Sequence, residues 1–548
     1  MSVDLGPARP LGWSEPGRTT LEIPTGGWRT RRPVYVEARA PCAAACPAGE
    51  PVPRWVERAR QGDYAGAWAL VREANPFPAV TGRVCAHPCE AACHRWDHDG
   101  AVAVHALERF VGDWGLAHGR PAPPAARRPE RVAVVGGGPA GLSCAYHLGR
   151  LGYRVTVYER MPALGGLLRY GIPAYRLPRA VLDREIDSIL GLGLEVRTGT
   201  AVGRDVPWEA LDGYDAVFLA VGAGIPLRLG VPGEDHPAVG DGLAFLRAVN
   251  TGSRPAPGGR VVVVGGGSTA MDVARTALRL GARSVTVLAL EAREAMPAAP
   301  DEVEQALAEG VEIRNGVGVR AFVEKDGCLC GVEVSAATLE QAPDGTVRPV
   351  FLPGPSGILE TDTTLLAIGQ RPDPASLVAA EAGGAGGPVR YAGGDMASGF
   401  RTVSHAIGAG AGAARLIHAR LAGVPPEAAA DLPGWVAARP AHVVTLDEIR
   451  LDAFPRAPRC PRPHRAAARP AGFTEVVPGL DEAAAREEAR RCLTCGRCVA
   501  CDVCLLACPD MAIRRVDGGY AVASEYCKGC GLCARECPRG ALQMGAER

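Results

Sequence analysis

The sequence predicts an α/β protein in which two Rossmann-like units of parallel sheet and covering helices lie between cysteine-rich modules at the two ends of the chain. Three observations say so. A short β-branched run, a glycine-rich turn, a helix and a second apolar run follow one another through Arg131–Tyr158, and the same pattern returns through Arg260–Leu288. Fifteen of the nineteen cysteines crowd into Cys42–Cys93 and Cys492–Cys537. The 548 residues are enough for several domains.

Composition removes several classes. Lys+Arg and Asp+Glu both number 60, so there is no global field to draw in nucleic acid or anionic lipid. The longest apolar runs, such as Val261–Val264, have the length of a buried strand and fall far short of a membrane span. The opening Met-Ser-Val-Asp-Leu-Gly-Pro lacks the charged-then-apolar layout of a signal peptide, so a cytoplasmic, reducing location is expected. In such a chain, clustered cysteines read as metal or cluster ligands and not as a disulfide framework. Cys144, Cys328, Cys330 and Cys460 stand apart and read as ordinary core or surface residues.

Ahead of the first unit, helical patterns occupy Trp55–Arg60, Ala65–Ala74 and Val104–Gly112, and Pro121–Pro129 has the composition of a linker. Strand Arg131–Val135 then runs into Gly136-Gly-Gly-Pro-Ala140-Gly141, followed by helix Leu142–Leu151 and strand Arg154–Tyr158. Gly136 permits the tight turn, Gly138 lets a pyrophosphate approach the backbone, and Gly141 lets helix pack on strand. The helix N-terminus attracts the phosphates, and Glu159 is placed to accept from ribose hydroxyls. In the second unit, strand Arg260–Val264 leads to Gly265-x-Gly267-Ser268-Thr269-Ala270, helix Met271–Leu280 and strand Ser284–Leu288. Alanine is tolerated at the third position of that motif. Two such folds in one chain imply two dinucleotides side by side with hydride passing between them. That chemistry needs apposed rings more than an acid–base pair, so no catalytic side chain is expected. Residues 425–470, rich in proline and arginine, read as extended, and a helix starts near 480.

The C-terminal module contains Cys498-x2-Cys501-x2-Cys504-x3-Cys508-Pro and Cys527-x2-Cys530-x2-Cys533-x3-Cys537-Pro. This is the bacterial two-cluster ferredoxin pattern, in which the fourth cysteine of each run ligates the other cluster. One cluster then takes Cys498, Cys501, Cys504 and Cys537, and the other takes Cys527, Cys530, Cys533 and Cys508. Zinc is the competing reading, since thiolate pairs also bind it. The N-terminal group, Cys42-x3-Cys46-Pro and Cys85-x3-Cys89-x3-Cys93, offers five thiolates, too many for one cluster and too few for two.

Together these motifs resemble the small (beta) subunit of bacterial glutamate synthase, the N-terminal half of dihydropyrimidine dehydrogenase and the NADPH-side subunit of bifurcating transhydrogenases. The likeness covers roughly residues 36–425. It includes Cys46-Pro, Thr81-Gly-Arg-Val-Cys85, Pro88-Cys-Glu-x-x-Cys93, the loop at Gly136, Gly165-Gly166-Leu167-Leu-x-Tyr-Gly-Ile-Pro173 and Leu177-Pro178. It continues through Asp272, Met296-Pro-Ala298, Ala367-Ile-Gly369, Gly393-Gly394-Asp395, Thr402-Val403 and Ala406-Ile407. The resemblance implies FAD on the first unit, with Gly166, Leu167, Gly222, Gly394, Asp395, Thr402 and Val403 added to its site. It implies a nicotinamide nucleotide on the second, with Asp272 and Gly369 near it. It also implies that the second unit is inserted within the first. The expected layout is an N-terminal helical 4Fe–4S domain (1–127), the FAD domain in two parts (128–256 and 362–425) around the nicotinamide domain (257–361), a linker (426–490) and the ferredoxin-like domain (491–548).

The family's N-terminal domain carries two 4Fe–4S clusters and begins with a Cys-x2-Cys pair that is absent here upstream of Cys42. The pair appears far downstream, as Arg491-Cys492-Leu-Thr-Cys495-Gly496. Cys492 and Cys495 are expected to fold back beside Cys42 and Cys93. The second cluster would use Cys46, Cys85 and Cys89 with Glu108, where relatives carry a Glu or Gln ligand. Fifteen cysteines plus Glu108 then supply sixteen ligands for four clusters. The plainer alternatives are that Cys492 and Cys495 are spare thiols and that Glu108 is a solvated helix residue.

NADPH-using relatives place arginines after the second strand of the nicotinamide domain, where Ala289-Leu290-Glu291 stands here. A carboxylate there favours a ribose diol over a 2′-phosphate, so NAD(H) is expected in preference to NADP(H), although Arg293 lies close by. The expected function is an NAD(H)-linked FAD and iron–sulfur oxidoreductase subunit. Its module Tyr526-Cys-Lys-Gly-Cys-Gly-Leu-Cys-Ala-Arg-Glu-Cys537 resembles the ferredoxin-like subunit of 2-oxoacid:acceptor oxidoreductases, which makes such a core the expected partner. The alternatives are a glutamate synthase or sulfite-reductase-type enzyme, a stand-alone NAD(P)H:ferredoxin oxidoreductase, and a non-enzymatic carrier with vestigial nucleotide folds.

Overall fold

Five parallel strands form the first sheet, in the order Val389–Ala392, Ala216–Leu219, Arg131–Val135, Arg154–Tyr158, Glu195–Arg197. The structure, a computed structural model, describes residues 26–120, 125–341, 347–381, 387–425, 442–461 and 472–547. Both faces of a parallel sheet must be covered, so its strands read as unbroken β-branched runs. Val132 and Val134 pack on helices Pro139–Arg150 and Val403–Ala422, while Val135 and Val217 face Leu211 and Met396.

The second sheet repeats the plan with Glu312–Asn315, Ser284–Ala289, Arg260–Val264, Thr363–Leu366 and Val239–Asp241, all parallel. It extends past the 257–361 span expected for it, because its last two strands come from 239–241 and 363–366. Those strands are too short to announce themselves by periodicity. An antiparallel sheet of Val317–Lys325, Cys328–Gln341, Val347–Phe351 and Gly357–Glu360 completes the unit. The last strand of the first sheet, Val389–Ala392, follows all of this, so the second unit is inserted in the first.

The N-terminal unit packs helices Val52–Gln61, Tyr64–Arg72, Pro78–Val84 and Val104–His118 around Trp55 and Leu107. A further helix, Glu482–Arg490, lies in the stretch read as linker and closes that core with Ala485 and Ala489. Asp481 caps it by accepting from the amide of Ala484 at 2.8 Å. The described residues 442–461 also pack on this unit: Val444 N–H donates to the Arg39 carbonyl at 3.0 Å, and His94 lies 2.9 Å from the Val444 carbonyl. At the far end, the hairpin Ile513–Val516/Gly519–Val522 and helices Val503–Ala507 and Leu532–Glu536 form the ferredoxin-like module. Its last strand, Leu542–Ala546, pairs antiparallel with Arg31–Tyr35 and joins the two ends of the chain. Among the described residues no helix is long and apolar enough to cross a membrane.

The two nucleotide units meet over a charged, aromatic contact. Tyr175 lies under the guanidinium of Arg279 at 3.8 Å and that of Arg275 at 4.9 Å. Glu309 accepts from both arginines at 2.6–3.0 Å, and all three charges are buried. Removing one member of such a set leaves uncompensated charge out of water. Glu309→Gln is therefore expected to cost about 3–5 kcal/mol, read from urea denaturation followed by circular dichroism. A loss below about 1 kcal/mol would show that solvent reaches the pair and screens it.

Candidate dinucleotide and cluster sites

Both glycine loops make the same backbone demand. Gly136 (φ +112°) and Gly265 (φ +135°) sit in conformations that side chains rarely adopt, and a Cβ on either would strike a carbonyl of the neighbouring strand, Ala220 O at 2.3 Å or Ala367 O at 2.4 Å. A long cleft opens over the first loop, lined by Gly136, Gly138, Ala140, Glu159, Gly166, Leu167, Gly222, Gly394 and Asp395. Gly141 and Gly166 sit at two close approaches. A Cβ on Gly141 would meet the Gly136 carbonyl at 1.9 Å, and one on Gly166 would meet Gly138 Cα at 2.8 Å. Glu159 ends the second strand, and its carboxylate accepts from the amides of Gly137 and Met161, both at 2.7 Å. Two lone-pair positions remain on it for ribose hydroxyls. Burial raises the carboxyl of Asp395 above the ordinary range, against the pull of Arg401. Thr402 caps helix Val403–Ala422, accepting from the His405 amide.

At the second loop, Ser268 and Thr269 open helix Ser268–Arg279, behind Gly267. Glu291 repeats the placement of Glu159. Its Oε2 lies where a Cβ on Gly266 would meet it at 2.4 Å, and this oxygen is buried without a hydrogen-bond partner. An orphaned carboxylate oxygen beside the loop fits a donor pair such as a ribose diol. Asn315 fixes the local backbone by donating to the Glu291 carbonyl at 2.9 Å. Gly369 (φ +109°) follows the strand Thr363–Leu366 and accepts from the Leu227 amide at 3.1 Å. Asp272, expected near the nucleotide, is instead paired with Arg176 of the other unit at 2.7 Å. Burial, opposed by Arg176, raises its carboxyl to about 6. Arg176 also binds Glu302, which makes the three an inter-unit clamp.

The thiols gather in four groups. Cys42, Cys93, Cys492 and Cys495 line a single cavity with Val52, Val56 and Val102. Burial, then Cys492, Cys93 and Cys495, raise the Cys42 thiol well above its ordinary value. Cys508, Cys527, Cys530 and Cys533 line a second cavity, so the fourth thiol comes from the other run. Cys504 is raised by burial and by its neighbours Cys498 and Cys537. Cys46, Cys85 and Cys89 form the last group. Burial and then Glu108 push Cys85 up to about 12, and Cys89 feels Cys46, Cys42 and Cys85. Glu108 is buried, accepts from Thr81 and from Asn75 at 3.1 Å, and is raised well above the carboxylate range by burial and by Glu50. Among the described residues no three His, Cys, Asp or Glu side chains converge as they would around a single metal ion. Two of the thiol groups line cavities, and four thiols about one cavity are the donor set a cubane takes.

Residues 130–410, about half of the chain, match the pyridine nucleotide-disulphide oxidoreductase family. The chain belongs to that family. Residues 32–120 match dihydropyrimidine dehydrogenase domain II, 4Fe-4S cluster, and residues 520–543 a 4Fe-4S binding domain. The beta subunit of the NADP(+)-dependent formate dehydrogenase of Moorella thermoacetica is 37% identical over 84% of this chain and 71% of its own length. The beta subunit of the NADPH-Fe(3+) oxidoreductase of Geobacter sulfurreducens is 41% identical over 61% of this chain, which spans only 51% of that relative. The small chain of the NADPH glutamate synthase of Escherichia coli is 38% identical over 60% of this chain and 74% of its own length. This member of the family is thus a flavin- and iron–sulfur-dependent NAD(P)H oxidoreductase.

Sequence reasoning missed Glu50, which is buried, donated to by Asn75 at 2.8 Å and hydrogen-bonded to Glu108. Its position four residues after Cys46 was the available signal. Arg160, which also lines the first cleft of this oxidoreductase, was missed as well. The cavity shared by Cys42, Cys93, Cys492 and Cys495 generates a direct test. Changing Cys492 and Cys495 together to Ser should remove about four irons relative to the wild-type holoprotein. The ferredoxin ligands and the flavin content should be spared. Full iron content in that double variant, measured by colorimetric iron assay, would make the pair spare thiols.

Proposed function

We propose that the chain is the NAD(H)-linked diaphorase subunit of a larger cytoplasmic enzyme, exchanging electrons between nicotinamide and a separate catalytic subunit by way of FAD and four 4Fe–4S clusters. The observation that carries this reading is a succession of neighbouring groups that runs from the first cleft toward the ferredoxin-like module. Helix Val403–Ala422 flanks the first cleft, its Ser404 is hydrogen-bonded to Cys85, and Gly408 packs on the Pro47 carbonyl beside Cys46. Cys42 of the next group neighbours Cys89. Arg539, two residues past Cys537, acts on both Cys492 and Cys495. When bound, FAD takes a hydride and the clusters take single electrons, which is how a two-electron donor feeds one-electron carriers.

The chain's own groups have separate parts in this. The loop amides at Gly136–Gly138 and the helix behind them hold pyrophosphate, Glu159 holds ribose, and Asp395 with the Thr402-capped helix holds the flavin end. Ser268, Thr269 and the loop at Gly265–Gly267 do the same for the nicotinamide nucleotide, with Glu291 on its adenosine ribose. Three of the sixteen expected ligands are exposed thiols, Cys498, Cys501 and Cys530, all in the ferredoxin-like module, which supports an exit there. None of the three relatives described above is a 2-oxoacid oxidoreductase. A catalytic subunit of the formate dehydrogenase type therefore stands beside the 2-oxoacid core as a partner candidate.

A second reading, NADP(H), is favoured by the names of those relatives and by Arg293, half-buried two residues beyond Glu291. Dye reduction with each nucleotide separates the two. NADH should show the lower KM, and Glu291→Arg should lower the NADPH KM by at least about tenfold, the worth of one charge-assisted contact. Wild-type preference for NADPH would overturn the NAD(H) assignment.

A further inference from the structure

Tyr35 belongs to the N-terminal strand, yet its side chain lies in the ferredoxin-like module. The strand Arg31–Tyr35 sets Tyr35 opposite Leu542, and its ring stacks on Tyr520 at 6.2 Å with 20° between planes. Its hydroxyl lies 3.2 Å from Sγ of Cys504. Tyr520 offers no such contact, because its hydroxyl donates to Asp502 at 2.7 Å and accepts from the Asp502 amide at 2.6 Å. The N-terminal segment closes the neighbouring site too. Pro33 lines the cavity of Cys508, Cys527, Cys530 and Cys533, and Arg29 donates to the Cys527 carbonyl at 3.3 Å.

Between a free thiol and a phenol either group can be the donor. A thiolate bound to iron has no proton, so the phenol must then donate. A phenol is protonated at neutral pH, so Tyr35 has that proton to give. Adding an electron to a 4Fe–4S cluster places negative charge partly on its ligand sulfurs. A donor aimed at one of them strengthens on reduction and favours the reduced state.

We propose that Tyr35 is a positioning and tuning residue for the cluster site of Cys498, Cys501, Cys504 and Cys537: its hydroxyl donates to Cys504 Sγ and raises the reduction potential of that one site. The strand at one end of the chain thereby sets how readily an electron enters the module at the other. The inference rests on the reading of those four cysteines as ligands, and iron content separates the failure of one from the failure of the other.

The test is Tyr35→Phe in the full-length holoprotein, which removes one oxygen and keeps the ring stack on Tyr520. An EPR-monitored redox titration should show one iron–sulfur midpoint moved to more negative potential. A tenfold change in that one-electron equilibrium is about 59 mV. The other iron–sulfur midpoints, the iron content and the rate of flavin reduction by nicotinamide should stay as in the wild type. Unmoved midpoints with full iron would overturn the proposal, as would an equal shift of every site. Loss of about four irons would mean that the hydroxyl holds the site together and does not tune it. Wild-type protein without iron at this site would sink the ligand assignment, and the proposal with it.

Discussion

The electron-carrying end of this molecule depends on the pairing of its two chain ends. Strand Arg31–Tyr35 against Leu542–Ala546 is a five-residue antiparallel ladder, reinforced by Arg29 with Glu547 and by the Ala38 amide on the Gly496 carbonyl. From that pairing follows the placement of Cys492 and Cys495 beside Cys42 and Cys93, of Pro33 against the Cys527 group and of Tyr35 against Cys504. A small ferredoxin module has a thin core, here Ile513, Tyr520 and Leu542 among the thiols, and the borrowed strand covers one side of it. The helix Glu482–Arg490 makes the reciprocal loan by completing the N-terminal core. Neither end is a self-sufficient domain in the usual sense.

The nucleotide half follows a different logic, internal duplication. Glu159 and Glu291 end equivalent strands and reach back to equivalent glycines, Gly137 and Gly266. Their surroundings differ in one respect. Both oxygens of Glu159 are held by backbone amides, which orients the carboxylate before any ligand arrives. One oxygen of Glu291 has no partner, so that site is completed only by what binds. A tightly kept dinucleotide suits the first arrangement and an exchanging one the second. Arg176, held by Asp272 and Glu302, and the Tyr175 stack under Arg279 fix how the second unit sits on the first.

Much of this was legible in the sequence where the physics is local. Arg131–Val135, Arg154–Tyr158 and Arg260–Val264 are strands with the boundaries read from their β-branched runs, because a buried parallel strand has no polar face to blur its ends. The glycine loops were legible for the same reason, since their spacing is a backbone requirement. What was not legible depends on tertiary pairing. Val239–Asp241 is three residues long and has no periodicity to detect. Asp272 sits in a loop-to-helix motif that suggests a ligand, and only the packing of the two units reveals Arg176 as its partner. Tyr35 carries no local sign at all, because its meaning lies in a strand more than 500 residues away.

The exposure of the thiols differs between the two ends of the chain. Cys42 and Cys89 are buried, and Cys46 and Cys85 are only partly accessible, with desolvation the largest influence on each. Cys498, Cys501 and Cys530 are open to solvent. Added negative charge costs more where low-dielectric protein replaces water, and less where water or hydrogen-bond donors face the sulfur. Cys504 and Cys533 are buried in the ferredoxin-like module as well, so the two ends differ in the exposed thiols that accompany them there. The depth of Cys42, Cys93, Cys492 and Cys495 is a product of the two ends of the chain closing on each other.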